Sequence, residues 1–335
     1  MQKKIIALAI AAAASSAAFA QTNVTLYGIA DVGFTSTKTQ GPDGHTVNGI
    51  DSGNLSTSRI GFKGSEDLGN GLKAIFALEY KVTMDNNAGF GGTSSARQQY
   101  VGLSDAKLGT VVAGYLQTAG YDFTVGALPL SGSVPFSTMH NVGLTSGQVN
   151  AAGRAQNAVA YISPNIAGLT LAYNYSANYA ASETTTTNGN SSANLLGASY
   201  ANGPITAGAV YNRVNLANTP NQELIEWGVR GGYDFKVVKV QAAYQTLKNE
   251  SVSGERDNKW GIGATVPVSA KGNVIAEFAK SKIKSVADSD VKAYSLAYTH
   301  DLSKRTTGYA GYTYRNPEGA ENNVQVIGLG VRHSF

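Results

Sequence analysis

Arg59, Lys63, Arg97 and Arg154 are the side chains in this 335-residue chain with the clearest chemistry to offer. With side chains alternating in period two, they point to the same polar side of nearby segments, and Arg230 joins them further along. Cations gathered in a narrow space with low-dielectric walls focus a field that draws anions. Arginine suits that role because its guanidinium stays charged beside its own kind. Lys73, Glu79, Lys81, Asp31 and Glu226 share the polar side, which keeps the expected anion preference modest. The alternative reading is a set of scattered, solvated charges.

Other chemistries lack material. With no cysteine and four histidines, thiol catalysis, disulfides and clusters are excluded, and a transition-metal site has few ligands. No G-x-S-x-G, HExxH or GxxxxGK[ST] occurs, and no Asp-x-Asp calcium loop, so no cofactor is expected and no enzymatic activity. His45 and His140 fall in expected loops, and His300 lies by a turn. The net charge of +4 comes from 26 basic and 22 acidic residues that are interspersed, which gives nucleic acid no basic face.

The address of the protein bears on what solvent these residues meet. Lys3 and Lys4 precede the apolar run Ile5–Ala14, and Ala18-Phe19-Ala20 offers a small-residue cleavage site. Residues 1–20 read as an export signal, leaving a mature chain of residues 21–335 as one domain. As helix, that apolar run would cover only ~15 Å, about half a hydrocarbon core, so an anchor is disfavoured. No later segment reads as a membrane-crossing helix. A membrane form of this protein must therefore cross as a closed barrel.

Period two supplies the strands. Leu72, Ala74, Phe76, Leu78 and Tyr80 oppose Lys73, Glu79 and Lys81. Trp227, Val229 and Tyr233 oppose Glu226, Arg230 and Asp234; Trp260, Ile262 and Val266 oppose Lys259 and Thr265. Short turn signals centre near residues 69, 107, 166, 203, 235, 270 and 302, with gaps of 32 to 38 and a single gap of 59. Two membrane strands of about 9–11 residues, a tight turn and a loop fill such a gap. The count comes to sixteen antiparallel strands with both ends on the short-turn side. A soluble sandwich would place turns roughly every 8–12 residues. The apolar sets carry no charge and should face lipid, where charge costs ~2–4 kcal/mol at the midplane. The polar sets then line a lumen too wide for side chains to fill. The first strand should pair with the last, Val324–Phe335, where His333 is the polar residue on the lipid side.

The excess of the long gap falls in residues 117–153. Asp122 is the one acid there, with His140 and no Lys, Arg or Glu before Arg154. An inward-folded loop and a floppy surface loop are equal alternatives on these residues alone. The other external loops are short, the next longest being 38–54 and 180–190.

Several stretches resemble the trimeric general porins of β-proteobacterial outer membranes. They include Val24–Gly33, Ser58–Gly71 (SRIGFKGSEDLGNG), Arg97–Ser104, Leu302–Thr306 and the ending Gly330–Phe335. The resemblance covers the whole mature chain. It implies a sixteen-stranded homotrimer in lipid and lipopolysaccharide, each barrel with a channel narrowed by its third external loop. That loop corresponds to 117–153, which favours inward folding. It also implies that the Phe335 ending is read by the barrel-assembly machinery. Family members often carry Arg at the position of Tyr115 and acid near Pro135-Phe136, so the acidic half of the constriction here rests on Asp122.

The expectation is an all-β, 16-stranded transmembrane barrel with its long third external loop folded into the lumen, forming a passive channel for ions and small hydrophilic solutes in the bacterial outer membrane. Pore-lining residues are Arg59, Lys63, Arg97, Arg154, Asp122, Tyr115 and Arg230. The competing reading is a barrel that anchors an adhesin or an enzyme.

Overall fold

A computed structural model describes residues 23–42, 44–86, 96–143, 153–179, 191–215, 223–249, 256–284, 286–319 and 322–335. The expected signal at 1–20, the loop stretch 180–190 and residues 144–152 of the long loop lie outside the described residues.

Alternating segments rich in aromatic and β-branched residues form strands throughout. In chain order they are β1 (Asn23–Thr39), β2 (His45–Ser52), β3 (Arg59–Gly69), β4 (Leu72–Lys81), β5 (Ala96–Asp105) and β6 (Gly109–Gln117). Then follow β7 (Arg154–Ile162), β8 (Leu169–Ser176), β9 (Ser192–Asn202), β10 (Ile205–Asn215), β11 (Glu223–Asp234) and β12 (Lys239–Asn249). The last five are β13 (Arg256–Pro267), β14 (Gly272–Ile283), β15 (Val291–Asp301), β16 (Thr306–Pro317) and β17 (Val324–Ser334). Each pairs antiparallel with its neighbours in one sheet of 17 strands.

Seventeen segments make sixteen staves. β2 pairs with the upper half of β1, Val32 to Thr39, while β3 pairs with its lower half, Asn23 to Ile29. The two are one stave interrupted at residues 53–58. Gly53, at φ +83°, starts the excursion and donates its N–H to Asp31 O at 2.7 Å. Residues 45–52, expected within an external loop, are therefore strand: β1 runs long, and its upper backbone groups require a partner. His45 opens that strand.

The sheet meets itself. β1 pairs with β17 from Ile29↔Ser334 to Thr39↔Val324, and Gly28 and Phe335 exchange backbone hydrogen bonds of 3.1 Å each way. Closure leaves no row of unpaired N–H and C=O groups at an edge, which hydrocarbon would penalise by several kcal/mol per group.

The faces sort by parity over most of the wall, and inversely to a water-soluble protein. Arg97, in step with the outward Val101 and Leu103, reaches the inner side only through a register shift opposite Glu79 and Tyr80. Leu296 is 56% and Leu329 54% exposed, whereas Asp31, Asn212 and Glu226 are at most 1% exposed. Trp227, Tyr244, Trp260, Phe278 and Tyr294 form part of an outer aromatic row, with Trp227–Tyr244 and Phe278–Tyr294 centroids 5.4 and 5.0 Å apart. Such rows occupy the interfacial girdles of membrane barrels. His333, the polar residue on the outer side of β17, meets the Thr306 hydroxyl at 2.9 Å beside a short turn, so it is not stranded among apolar groups.

Candidate functional site

Between β6 and β7 the chain lies along the polar face of the wall. Thr118 caps a short helix, α1 (Ala119–Val125), accepting from Gly120 N at 3.2 Å; Ser137 caps α2 (Thr138–Asn141). Wall positions facing these residues are glycines. A Cβ at Gly228 would stand 2.6 Å from the Phe123 ring, and one at Gly311 2.9 Å from Phe136. Gly261 makes the same room for Leu128 and Met139. Leu128, Leu130 and Phe136 are at most 2% exposed. Each such burial contributes about 1.5–3 kcal/mol.

Polar clamps complete the attachment. The Glu277 carboxylate on β14 accepts from Leu130 N at 2.5 Å, Thr138 N at 3.3 Å and Thr138 Oγ1 at 3.0 Å. Ser281 donates to Val142 O at 2.7 Å and Arg315 Nε to Asn141 O at 2.9 Å. Ser133 donates to Asn54 O at 2.6 Å, tying the segment to the 53–58 excursion. That excursion is held by Asp31, which accepts from Leu55 N, Ser56 N and the Tyr309 hydroxyl. Sequence reading placed Asp31 on the polar side but left Glu277 unassigned; period two on β14 is the signal that finds it.

Across from these clamps the basic residues of β3, β5 and β7 converge on Tyr121 of α1. Arg154 Cζ lies 4.3 Å from the Tyr121 ring centroid, and Arg97 Nη2 donates to its hydroxyl at 3.0 Å. Arg97 Nε also pairs with Glu79 Oε1 at 2.7 Å. Arg59 donates from Nε to Thr57 O at 3.0 Å and stands within electrostatic reach of Arg97, Arg154 and Tyr121. Nε and Nη2 of Arg154 are buried without a hydrogen-bond partner. Burial alone would raise the Tyr121 phenol, yet Arg97, Arg154 and Arg59 together hold it below its ordinary pKa.

A cavity of about 330 Å³ separates this cluster from β11–β13. Arg97 and Arg154 line it with Lys259, Glu226, Gln245 and His140. Lys259 could have been found by parity on β13, whereas His140 carries no such signal within a loop. Desolvation, and then Lys259, hold the His140 imidazole below its ordinary pKa.

The remaining expected residues lie apart. Lys63 sits lower on β3, its Nζ 5.2 Å from the Tyr27 ring centroid. Tyr115 pairs with Gln99 in step with Val111 and Ala113 of the outer set, beside a register shift between Gly114 and Leu116, and stands within electrostatic reach of Arg154. Asp122 turns away from the three arginines: it accepts from Gln117 Nε2 at 2.9 Å and lines a second cavity with Arg230. Asp122 is exposed to the lumen, yet desolvation by the groups crowded around it raises its carboxyl pKa, partly offset by Gln117 and Arg230.

Comparison with known proteins agrees with this arrangement. The family model described as Gram-negative porin matches residues 7–320. Outer membrane porin protein 32 of Delftia acidovorans is 30% identical over 366 residues, covering 100% of both chains. An outer membrane porin protein of Bordetella pertussis is 29% identical over 395 residues, again covering 100% of both. Among solved structures, the anion-selective porin from Comamonas acidovorans superposes with a TM-score of 0.80 at 26% identity, covering 94% of this chain and 100% of that one. Closed around a polar lumen with an apolar belt outside, the chain belongs to the Gram-negative porin family, the channel-forming barrels of the outer membrane.

Proposed function

We propose that this porin passes ions and small hydrophilic solutes by passive diffusion with a modest preference for anions, through a lumen narrowed by residues 117–153. The observation that carries the reading is the convergence of Arg59, Arg97 and Arg154 on Tyr121, with Arg154 Nε and Nη2 lacking any hydrogen-bond partner. Glu79 neutralises one of these cations, and Asp122 faces Arg230 instead. The cluster therefore keeps a positive excess on one wall of a narrow space, which raises local anion concentration. Similarity to the anion-selective porin from Comamonas acidovorans adds support.

On this reading residues 1–20 are removed on export and no catalysis takes place. Three barrels associate in the membrane, with lipid and lipopolysaccharide around the outer belt. The β17 strand ending in Phe335 is the segment offered to the barrel-assembly machinery. Purified protein in a planar bilayer tests the channel itself. Stepwise conductance rises, commonly in threes, are expected; electrical silence over many insertions would refute it.

A further inference from the structure

The polar face of the wall is interrupted. On the inner side of β4–β7, Ile75, Tyr100, Val112, Leu116, Ala160 and Ile162 form an apolar patch, bordered by Gln98, Thr110, Thr170, Asn174 and Ser199, where a water-filled barrel ordinarily presents polar groups. Ala119 and Phe123 of α1 roof it, enclosing a cavity of about 260 Å³. Two opposite charges line the same space, Arg230 from β11 and Asp122 from α1. They are not an ion pair, since no Arg230–Asp122 contact within 4.0 Å occurs among the described residues. Asp122 accepts one hydrogen bond, from Gln117, and Arg230 Nε is buried with no partner.

Arg230 is also held in place. A Cβ at Gly126 would meet its Nη1 at 1.4 Å and one at Gly208 its Nε at 2.6 Å, so both glycines leave room for the guanidinium alone. The Phe123 ring lies 5.8 Å from Cζ. A fixed cation and a separate carboxylate beside an apolar wall select a solute with both charges and an apolar body. A monocarboxylate would face Asp122 unpaired, and a simple amine would face Arg230.

We propose that this cavity is a transit-binding subsite for zwitterionic α-amino acids with apolar or aromatic side chains. The solute carboxylate meets Arg230, its ammonium meets Asp122, and its side chain lies on Val112, Leu116 and Ala160. The inference rests on the channel reading above and names one of its solute classes. Asp122 is exposed to the lumen, so its carboxylate is open to an incoming ammonium group.

The test is titration of open-channel current in a planar bilayer with L-phenylalanine, glycine, 3-phenylpropionate and 2-phenylethylamine. L-Phenylalanine is expected to reduce the current saturably. Glycine, which lacks the apolar body, and the two analogues lacking one charge should each need roughly tenfold higher concentration, the factor set by one lost charged or apolar contact. Arg230→Gln and Asp122→Asn should each weaken the L-phenylalanine effect by a similar factor, and the ligand series decides alone if either variant fails to insert. A conducting channel with no saturable response, or with equal responses to L-phenylalanine and 3-phenylpropionate, would overturn the subsite. Silence in KCl alone would instead overturn the channel reading, and the subsite with it.

Discussion

The Tyr121 ring lies between two arginines, with Arg154 Cζ 4.3 Å from its centroid and Arg97 Nη2 donating to its hydroxyl at 3.0 Å. A neutral aromatic here holds two cations in place without cancelling their charge, through a cation–π contact at one side and a hydrogen bond at the other. A carboxylate at this position would do the same work and abolish the field. Tyr121→Phe should therefore lose one hydrogen bond of about 1–3 kcal/mol to a charged group and leave most of the ion preference intact. Tyr121→Asp should collapse that preference, as read from reversal potentials; an unchanged preference in Tyr121→Asp would remove the cluster from the account.

Glu277 is the main polar attachment of the segment after β6, with three donors on one buried carboxylate. In Glu277→Gln an amide N–H₂ would confront a donor, weakening attachment by about 2 kcal/mol. Larger open-channel noise and faster proteolysis within 117–153 are expected, with the barrel itself resisting denaturation as before. Noise equal to wild type would show that the apolar contacts suffice.

Much of this architecture was legible in the chain. Parity on Leu72–Tyr80 and on Trp227–Tyr233 assigned both faces, because charge at the middle of the hydrocarbon is costly; outer-face charges such as Arg213 and Lys282 fall toward strand ends. Closure of β1 on β17 followed from the same penalty. The split of the second stave into β2 and β3 was not legible, since residues 45–52 have the Gly, Asn and Thr of a loop and become strand only because β1 extends past them. Three arginines of the polar set do converge, yet Asp122 does not oppose them. Its direction depends on the pitch of α1, which seven residues of sequence do not reveal. Glycines on the inner face looked like filler in the polar sets; they are the floor on which Phe123, Leu128 and Phe136 rest.

Gly311 tests that floor. Gly311→Leu would drive a side chain into the Phe136 ring, which already stands 2.9 Å from where a Cβ would be. Overpacking of this kind costs ~1–3 kcal/mol and should displace the Phe136 ring from the wall. Single-channel conductance should change while heat-resistant barrel migration on gels persists. Conductance identical to wild type would place Phe136 elsewhere.

Acid should loosen the same segment through His140. His140 is exposed to the lumen, but desolvation by the groups crowded around it and then Lys259 depress its imidazole, so the folded state binds its proton less readily than the unfolded chain. Attachment is fully present above about pH 6.5 and is lost progressively as pH falls toward the depressed value. Glu226 and Arg154 line the same cavity and contribute to the field it meets. Current noise should rise as pH drops from 7 to 5, and His140→Gln should flatten that dependence. A His140→Gln channel with the wild-type pH profile would assign the effect to another group.

The reversal potential of wild-type protein in a KCl gradient bears most directly on the arginine cluster as the selective element. The expected sign is that of chloride moving more readily than potassium, with Arg59→Ala, Arg97→Ala and Arg154→Ala each bringing the potential closer to zero. A potential of the opposite sign, with potassium preferred, would contradict the account.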